Sequence, residues 1–90
     1  MIAAKLHWRR LLWGMATTIF IPRLAVSMTE GTITEWLVDD GETVSAGQPL
    51  YRLETDKTDA EIESPASGIL RIEADAGELL EVGTPIGEIE

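Results

Sequence analysis

Apolar and polar positions alternate over short stretches after residue 15, and no stretch repeats its apolar residues at helical spacing. Glycines that favour turns separate these stretches, as in Asp40-Gly41, Ala46-Gly47, Ala76-Gly77 and Val82-Gly83. The pattern predicts strands over residues 17–23, 31–38, 49–55, 58–64, 68–73 and 85–90, with short strands around Val44 and Leu80. Turns spaced by about 8 to 12 residues favour an all-β fold, a small sandwich or flattened barrel.

Residues 41–54 and 77–90 repeat one pattern. G-E-T-V-S-A-G-Q-P-L-Y-R-L-E aligns without gaps on G-E-L-L-E-V-G-T-P-I-G-E-I-E at a constant offset of 36 residues, with five identities. Upstream, Gly31 parallels Gly68, and the apolar run before Pro22 parallels the segment before Pro65. The sequence therefore predicts two similar halves related by a pseudo-twofold axis.

The apolar spacing within each copy indicates a local irregularity. Leu50 and Leu53 are three residues apart, as are their counterparts Ile86 and Ile89. A regular strand returns to the same face every second residue, so a spacing of three does not fit it. We predict a β-bulge at this place in both halves.

Charge and composition exclude several classes of function. The 90 residues include 16 acidic residues against 7 lysines and arginines, and there is no cysteine. The acidic balance repels nucleic acid and anionic membrane surfaces and favours a basic protein partner. Without cysteine there are no disulfides and no redox chemistry by side-chain thiols, so redox work requires a cofactor. No apolar stretch reaches the ~20 residues that span a bilayer.

The first 14 residues differ from the rest of the chain. No acidic residue precedes Glu30, whereas Lys5, Arg9 and Arg10 lie close to the start. We interpret residues 1–14 as an extension without a folded role, followed by a domain over residues 15–90. A transit peptide and a secretory signal are the alternatives. The expected location is the cytoplasm, or the mitochondrial matrix if the extension is a transit segment. The only histidine, His7, lies in the extension, so we predict neither a histidine-based catalytic site nor a metal site.

The chain has two lysines, Lys5 and Lys57. Lys57 lies in L-E-T-D-K-T-D-A-E, at the junction between the two halves and between two predicted strands. The tip of a hairpin exposes its side chains while strand pairing holds its backbone. A lysine in a polar turn is usually only a solubilising residue, but this one is the sole amine within the predicted domain.

Four segments together resemble a known family: G-T-I-T-E-W-L-V-D-D-G-E, G-Q-P-L, E-T-D-K-T and E-S-P-A-S-G-I-L. They resemble the lipoyl domains of the acyltransferase components of 2-oxo acid dehydrogenases, over about residues 19–90. The resemblance implies a flattened β-barrel of two four-stranded antiparallel sheets, a barrel-sandwich hybrid. It also implies that Lys57 carries lipoate in amide linkage, with Asp56 and Thr58 flanking it. Biotin carrier domains share this fold, but their lysine usually lies between two methionines, so a biotin carrier is the alternative. An unmodified binding module is the third hypothesis.

The resemblance further implies a carrier that shuttles acyl groups and reducing equivalents and has no active site of its own. Its implied partners are a thiamine-diphosphate-dependent oxo acid decarboxylase, an acyltransferase core, dihydrolipoyl dehydrogenase and a lipoate-attaching enzyme. We expect a monomeric domain, either free-standing or part of a larger acyltransferase.

Partner recognition is predicted on two features near Lys57. An insertion makes the first-half loop longer than its counterpart P-A-S-G, and by analogy with lipoyl domains it lies beside the lysine hairpin. Acidic side chains on the hairpin are suited to attract a basic enzyme surface. Trp36 and Tyr51 are predicted to pack rather than to contact a cofactor. The residues predicted to take part in recognition are Arg23, Leu24, Ala25, Val26, Ser27, Met28 and Thr29 in the loop, and Glu54 and Asp59 on the hairpin.

Overall fold

The computed structural model describes residues 16–90, which form eight strands. Every strand pairing in this part of the chain is antiparallel, which confirms the predicted all-β class. No helix in the described part is long and apolar enough to cross a membrane. The predicted extension, with His7, lies outside the described residues. The strands are β1 Thr17–Phe20, β2 Glu30–Trp36, β3 Thr43–Val44, β4 Pro49–Glu54, β5 Asp59–Glu63, β6 Gly68–Ile72, β7 Leu79–Glu81 and β8 Pro85–Ile89.

The strands form two four-stranded sheets, with the orders β1-β8-β6-β3 and β5-β4-β2-β7. Each sheet takes two strands from each half of the chain, so the halves are interleaved rather than separate. Exchanging β1 to β4 with β5 to β8 converts one sheet order into the other. This confirms the pseudo-twofold axis that the sequence repeat predicts.

The predicted bulge is present in both halves. Leu50 has no partner in β5, because Pro49 pairs with Glu63 and the next pair is Tyr51 with Ile62. Ile86 is likewise skipped in the pairing of β1 with β8. The carbonyl oxygens of Leu50 and Ile86 accept hydrogen bonds, each at 2.9 Å, from the amides of Leu37 and Glu73. Both bulged side chains are fully buried, so the extra residue adds an apolar group to the core without breaking the sheet.

A third irregularity occurs in the first half alone. The β2–β4 register skips Thr34, whereas β6 pairs with β8 without a shift. Thr34 is the extra residue that changes the offset between the halves, because Gly31 matches Gly68 while Gly41 matches Gly77. The two copies still make equivalent bonds, since the Gly41 amide donates to the Leu70 carbonyl and the Gly77 amide donates to the Ile33 carbonyl, both at 2.7 Å.

The core lies between the two sheets and is made of aliphatic side chains with one tyrosine. Trp36 packs its ring against Tyr51, with 5.1 Å between centroids, and its Nε1 donates a hydrogen bond to the Ala74 carbonyl at 2.9 Å. Packing roles for both aromatic residues are thereby confirmed. The buried hydrophobic residues are Ile19, Ile21, Met28, Ile33, Val38, Val44, Leu50, Tyr51, Leu53, Leu70, Ala74, Ile86 and Ile89.

All six strands with predicted ranges are shorter in the structure, and two of these differences affect the neighbourhood of Lys57. β1 ends at Phe20 rather than at residue 23. The Ile21 amide still donates to Thr84, but Pro22 has no amide hydrogen to continue the ladder, and the chain leaves the sheet there. β5 begins at Asp59 rather than at residue 58, because Thr58 closes the preceding turn.

Candidate functional site

Lys57 lies in the tight turn that joins β4 to β5. Glu54 and Asp59 form the last pair of the ladder, and the Thr55 amide donates to the Thr58 carbonyl at 2.8 Å. The hydroxyl of Thr55 accepts a hydrogen bond from the Thr58 amide at 3.2 Å. Neither Asp56 nor Lys57 has a positive φ, so the turn needs no glycine. The predicted hairpin tip is confirmed. Its backbone is fixed by the pairing of β4 with β5 and by the hydrogen bonds between Thr55 and Thr58.

Lys57 differs from every other basic side chain in residues 16–90. Arg52 contacts Glu35 at 3.8 Å and Glu61 at 3.2 Å, and Arg71 contacts Glu90 at 2.9 Å. Arg23 donates to backbone carbonyls. Lys57 is exposed and makes no hydrogen bond or ion pair within the described residues. Its amine is thus free for chemistry or for binding, whereas the arginines have structural contacts.

The loop over residues 23–29 closes on itself around the Arg23 guanidinium. Nη1 of Arg23 donates to the carbonyls of Val26 and Met28, both at 3.0 Å. The Met28 amide donates to the Ala25 carbonyl at 3.0 Å, and the Leu24 amide approaches the Met28 sulfur at 3.2 Å. The Met28 side chain is buried and anchors the loop to the core. These contacts form a compact ring rather than an open connection.

The loop and the lysine hairpin face each other across a cleft of about 340 Å³. The predicted neighbourhood of loop and hairpin is therefore confirmed, while the recognition role of the loop stays a prediction. The residues that line the cleft are Leu24, Ala25, Ser27, Met28, Thr29 and Glu30 on one side, and Thr55, Asp56, Lys57 and Thr58 on the other.

The structure divides the residues predicted for recognition into two groups. Leu24, Ala25, Ser27, Met28 and Thr29 line the cleft, whereas Arg23, Val26, Glu54 and Asp59 do not. Val26 is 93% exposed at the outer surface of the loop. Arg23 contacts its own loop, and Glu54 and Asp59 lie at the end of the ladder.

Two residues of the cleft were missed by the sequence interpretation. Glu30 brings a carboxylate to the cleft as the first residue of β2. Thr55 closes the turn from the other side of Lys57. The paired threonines of T-D-K-T are the signal for Thr55, because threonine hydroxyls commonly bond to backbone groups in turns. Glu30 has no comparable signal in the sequence.

Comparison with known proteins identifies this arrangement. Residues 17–89 match the biotin/lipoyl family, whose description is "Biotin-requiring enzyme". The chain belongs to the biotin/lipoyl attachment family. The match covers all eight strands and includes the Lys57 hairpin.

Relatives of this biotin/lipoyl domain are named as components of dehydrogenase complexes. It is 47% identical over 77 residues to the dihydrolipoyllysine-residue acetyltransferase component of the pyruvate dehydrogenase complex of Corynebacterium glutamicum, covering 84% of this chain and 11% of that protein. It is 43% identical over 72 residues to the dihydrolipoyllysine-residue succinyltransferase component of the 2-oxoglutarate dehydrogenase complex of Bacillus subtilis, covering 79% and 17%. It is 40% identical over 76 residues to the mitochondrial pyruvate dehydrogenase complex protein X component of Chaetomium thermophilum, covering 82% and 17%. The chain thus spans less than a fifth of the length of these relatives.

The geometry of this biotin/lipoyl domain suits covalent attachment. A primary amine on an exposed turn can attack an activated carboxyl group and form an amide, and a fixed backbone presents it in one place to the attaching enzyme. Within residues 16–90 no group of three or more histidine or acidic side chains is arranged to hold a metal ion.

Proposed function

We propose that the chain is a lipoyl carrier domain, in which Nζ of Lys57 holds lipoate in amide linkage. In this role it shuttles acyl groups and reducing equivalents between the components of a 2-oxo acid dehydrogenase-type complex. The observation that carries the proposal is the position of Lys57. It is an exposed and unpaired amine on a closed hairpin tip, in a domain similar to proteins named for a dihydrolipoyllysine residue.

The residues around Lys57 fit an amide-linked group. The side chain is exposed, so an attaching enzyme has access to it, and no carboxylate in the described part pairs with the amine. Amide formation removes the positive charge without breaking any contact of the fold. When bound, lipoate supplies a disulfide ring that accepts an acyl group together with electrons. The long chain of the group begins at a tip whose backbone is held by Thr55 and Thr58.

The contribution of the domain is to present and deliver the arm. A flexible arm on a rigid tip has a high effective concentration at every partner site within its reach. Residues 16–90 contain four basic and sixteen acidic side chains, and this charge attracts basic surfaces around those sites. The chemical steps are assigned to the partners: a thiamine-diphosphate-dependent decarboxylase, an acyltransferase, dihydrolipoyl dehydrogenase and a lipoate-attaching enzyme. We propose no active site within the domain itself.

A transfer experiment tests the carrier role. The lipoylated chain is incubated with a 2-oxo acid decarboxylase component, thiamine diphosphate and an oxo acid labelled in its acyl part. We expect label on the chain with one of the tested decarboxylases, and none with the Lys57→Arg variant. If pyruvate, 2-oxoglutarate and branched-chain oxo acid decarboxylases all fail to label a fully lipoylated chain, the carrier role is wrong.

A biotin carrier is the second candidate, because the matching family is described as biotin-requiring. Lys57 is flanked by Asp56 and Thr58 instead of the methionines typical of biotin carriers, and the relatives above are named for dihydrolipoyllysine. These two observations favour lipoate.

A further inference from the structure

The cleft between the loop and the hairpin has Lys57 on its wall, so any group attached to Lys57 begins at this cleft. We propose that the cleft binds the apolar end of the attached arm, so that the arm alternates between a docked and a free position. This inference rests on the proposed lipoyl function. It adds a binding site on the domain for its own arm, formed by the loop.

The size and lining of the cleft match such a ligand. Its volume of about 340 Å³ falls within the range of roughly 300 to 1,000 Å³ that is usual for small-molecule sites. Leu24, Ala25 and Met28 give the wall opposite the hairpin an apolar surface. Leu24 remains 40% exposed, so it has surface to cover when a ligand binds. An aliphatic chain that ends in a sulfur ring is apolar and can bury its surface against these side chains.

Charge in the cleft selects the attached form over free acids. Glu30 and Asp56 bring two carboxylates to the lining. Once Lys57 is acylated its positive charge no longer offsets these two carboxylates, which then repel free lipoate and other free fatty acids because each carries a carboxylate of its own. After attachment to Lys57 that carboxylate has become a neutral amide, and the lysine charge is also lost. The attached arm is therefore the occupant that the cleft accepts, whereas an acidic ligand is disfavoured.

Tethering of the arm to Lys57 raises the occupancy of a cleft that binds the arm only weakly. Because the arm starts at Lys57 on the cleft wall, docking is intramolecular, and the effective concentration of the arm lies in the millimolar range typical of short flexible linkers. A site with modest intrinsic affinity is then partly occupied. Because occupancy is only partial, the arm is undocked for part of the time and can then reach partner enzymes.

The wall opposite Lys57 is already formed before the arm docks. Arg23 closes the loop through two carbonyls at 3.0 Å, and the buried Met28 side chain fixes it to the core. Little ordering entropy is lost when a ligand enters a site of this kind. Arg23 is therefore a positioning residue, since it shapes the wall without lining the cleft.

NMR spectra of the lipoylated chain are compared with those of the unmodified chain. Both chains are labelled at backbone amides and at methionine and leucine methyl groups. Intact mass first establishes that Lys57 is lipoylated. We expect nuclear Overhauser effects between protons of the sulfur ring and the methyl groups of Met28 and Leu24, with shifted amides at residues 24, 25 and 28. Shifts confined to residues 55–59, without these Overhauser effects, would overturn the inference.

Leu24→Ser and Val26→Ser form a matched pair, because both change one exposed aliphatic residue of the same loop and only Leu24 lines the cleft. We expect the Overhauser effects to disappear in lipoylated Leu24→Ser and to persist in lipoylated Val26→Ser. Alkylation of the reduced arm by a maleimide gives a second measurement, and it should be severalfold faster in Leu24→Ser than in Val26→Ser. Equal alkylation rates in the two variants would contradict docking.

The docking site and the carrier role can be overturned separately. A chain with the lipoyl mass on Lys57 but no contact to Leu24 or Met28 overturns the docking site and leaves the carrier role intact. A chain that a lipoate-attaching enzyme does not modify at Lys57 overturns the proposed function, and the docking site with it.

Discussion

Thr55 and Thr58 hold the turn that carries Lys57 through a reciprocal pair of hydrogen bonds. The Thr55 amide donates to the Thr58 carbonyl at 2.8 Å, and the Thr58 amide donates to the Thr55 hydroxyl at 3.2 Å. The Thr55 hydroxyl in turn donates to the Thr58 carbonyl at 3.3 Å. Only the side chain of Thr55 takes part, so the two threonines are not equivalent.

Thr55→Val tests this asymmetry. The variant keeps the β-branched shape and removes the acceptor of the Thr58 amide, so we expect faster hydrogen exchange at that amide. Because the bond is exposed, we expect the free energy of unfolding to fall by about 0.5–1 kcal/mol. Thr58→Val is the control, since its own hydroxyl makes no bond in the turn, and it should leave the exchange of residue 58 unchanged. Equal exchange in the two variants would show that the hydroxyl of Thr55 does not hold the tip.

The positions of the strands and both bulges could be predicted because they depend on local pattern, whereas the order of the strands in the two sheets depends on long-range pairing. Alternation and turn glycines mark the strands, and the spacing of Leu50 to Leu53 and of Ile86 to Ile89 marks the bulges. The extra residue Thr34 was missed by the sequence interpretation, although Ile33 and Trp36 are three residues apart and the offset between the halves changes from 37 at Gly31 and Gly68 to 36 at Gly41 and Gly77.

The lysine hairpin of the candidate site could be predicted from the sequence, whereas the contacts of the neighbouring loop could not. Lys57 stands out as the only lysine of the domain, and its hairpin follows from the flanking strands. The role of Arg23 depends on which carbonyl oxygens come within reach of its guanidinium, and only the folded loop decides that. The sequence placed Arg23 at the recognition surface, whereas the structure turns it toward its own loop.

Arg23→Met should open the ring of the loop. Removing the guanidinium leaves the carbonyls of Val26 and Met28 without their donor, so we expect faster hydrogen exchange of the Met28 amide. The global free energy of unfolding should fall by about 1 kcal/mol, the usual contribution of such bonds.

Arg52→Met serves as its control, because it removes an exposed arginine from the β4–β5 hairpin. Its ion pairs with Glu35 and Glu61 are exposed and should contribute less than about 1 kcal/mol. The loop amides should exchange as in the parent chain. If Arg23→Met leaves the exchange of the Met28 amide unchanged, the ring does not depend on Arg23.

Burial of Tyr51 should make the free energy of unfolding depend on pH in alkaline solution. Its ring is fully buried, and this desolvation raises the pKa of the phenol from 10.0 to about 12. Between these values the unfolded chain loses the proton and the folded chain keeps it. The unfolded state then binds fewer protons, so the free energy of unfolding falls as pH rises, by up to about 1.4 kcal/mol per pH unit.

Tyr51→Phe should remove this alkaline loss of stability. The Tyr51 hydroxyl is buried and has no hydrogen-bond partner among the described residues, so at neutral pH the variant should be as stable as the parent or more stable. Urea denaturation at neutral pH and between pH 10 and 12 measures both effects. A parallel decline of parent and variant above pH 10 would assign the loss to other groups.

Gly87→Ala and Gly31→Ala should differ in their cost. A Cβ on Gly87 would lie 2.6 Å from the backbone carbonyl oxygen of Arg71, which the β6–β8 pairing holds in place. A Cβ on Gly31 would meet the flexible end of Leu53 at 3.0 Å, and the end of Met28 and the backbone carbonyl oxygen of Glu54 both at 3.3 Å, so its one backbone contact is 0.7 Å longer than that of Gly87. We expect a loss of about 1–3 kcal/mol for Gly87→Ala and a smaller loss for Gly31→Ala. Thermal unfolding of both variants provides the measurement, and the reverse order would contradict the register of β6 and β8.

The attachment of lipoate to Lys57 is tested most directly by mass spectrometry of the chain produced together with lipoate- and biotin-attaching enzymes. Lys57→Arg keeps the positive charge but cannot form the amide, and Lys5 provides a second lysine within the same chain. The proposed function predicts one lipoyl increment, located between Leu53 and Arg71 after tryptic digestion and absent from Lys57→Arg. A biotin increment at Lys57, a bare Lys57, or a lipoyl increment that persists in Lys57→Arg would contradict it.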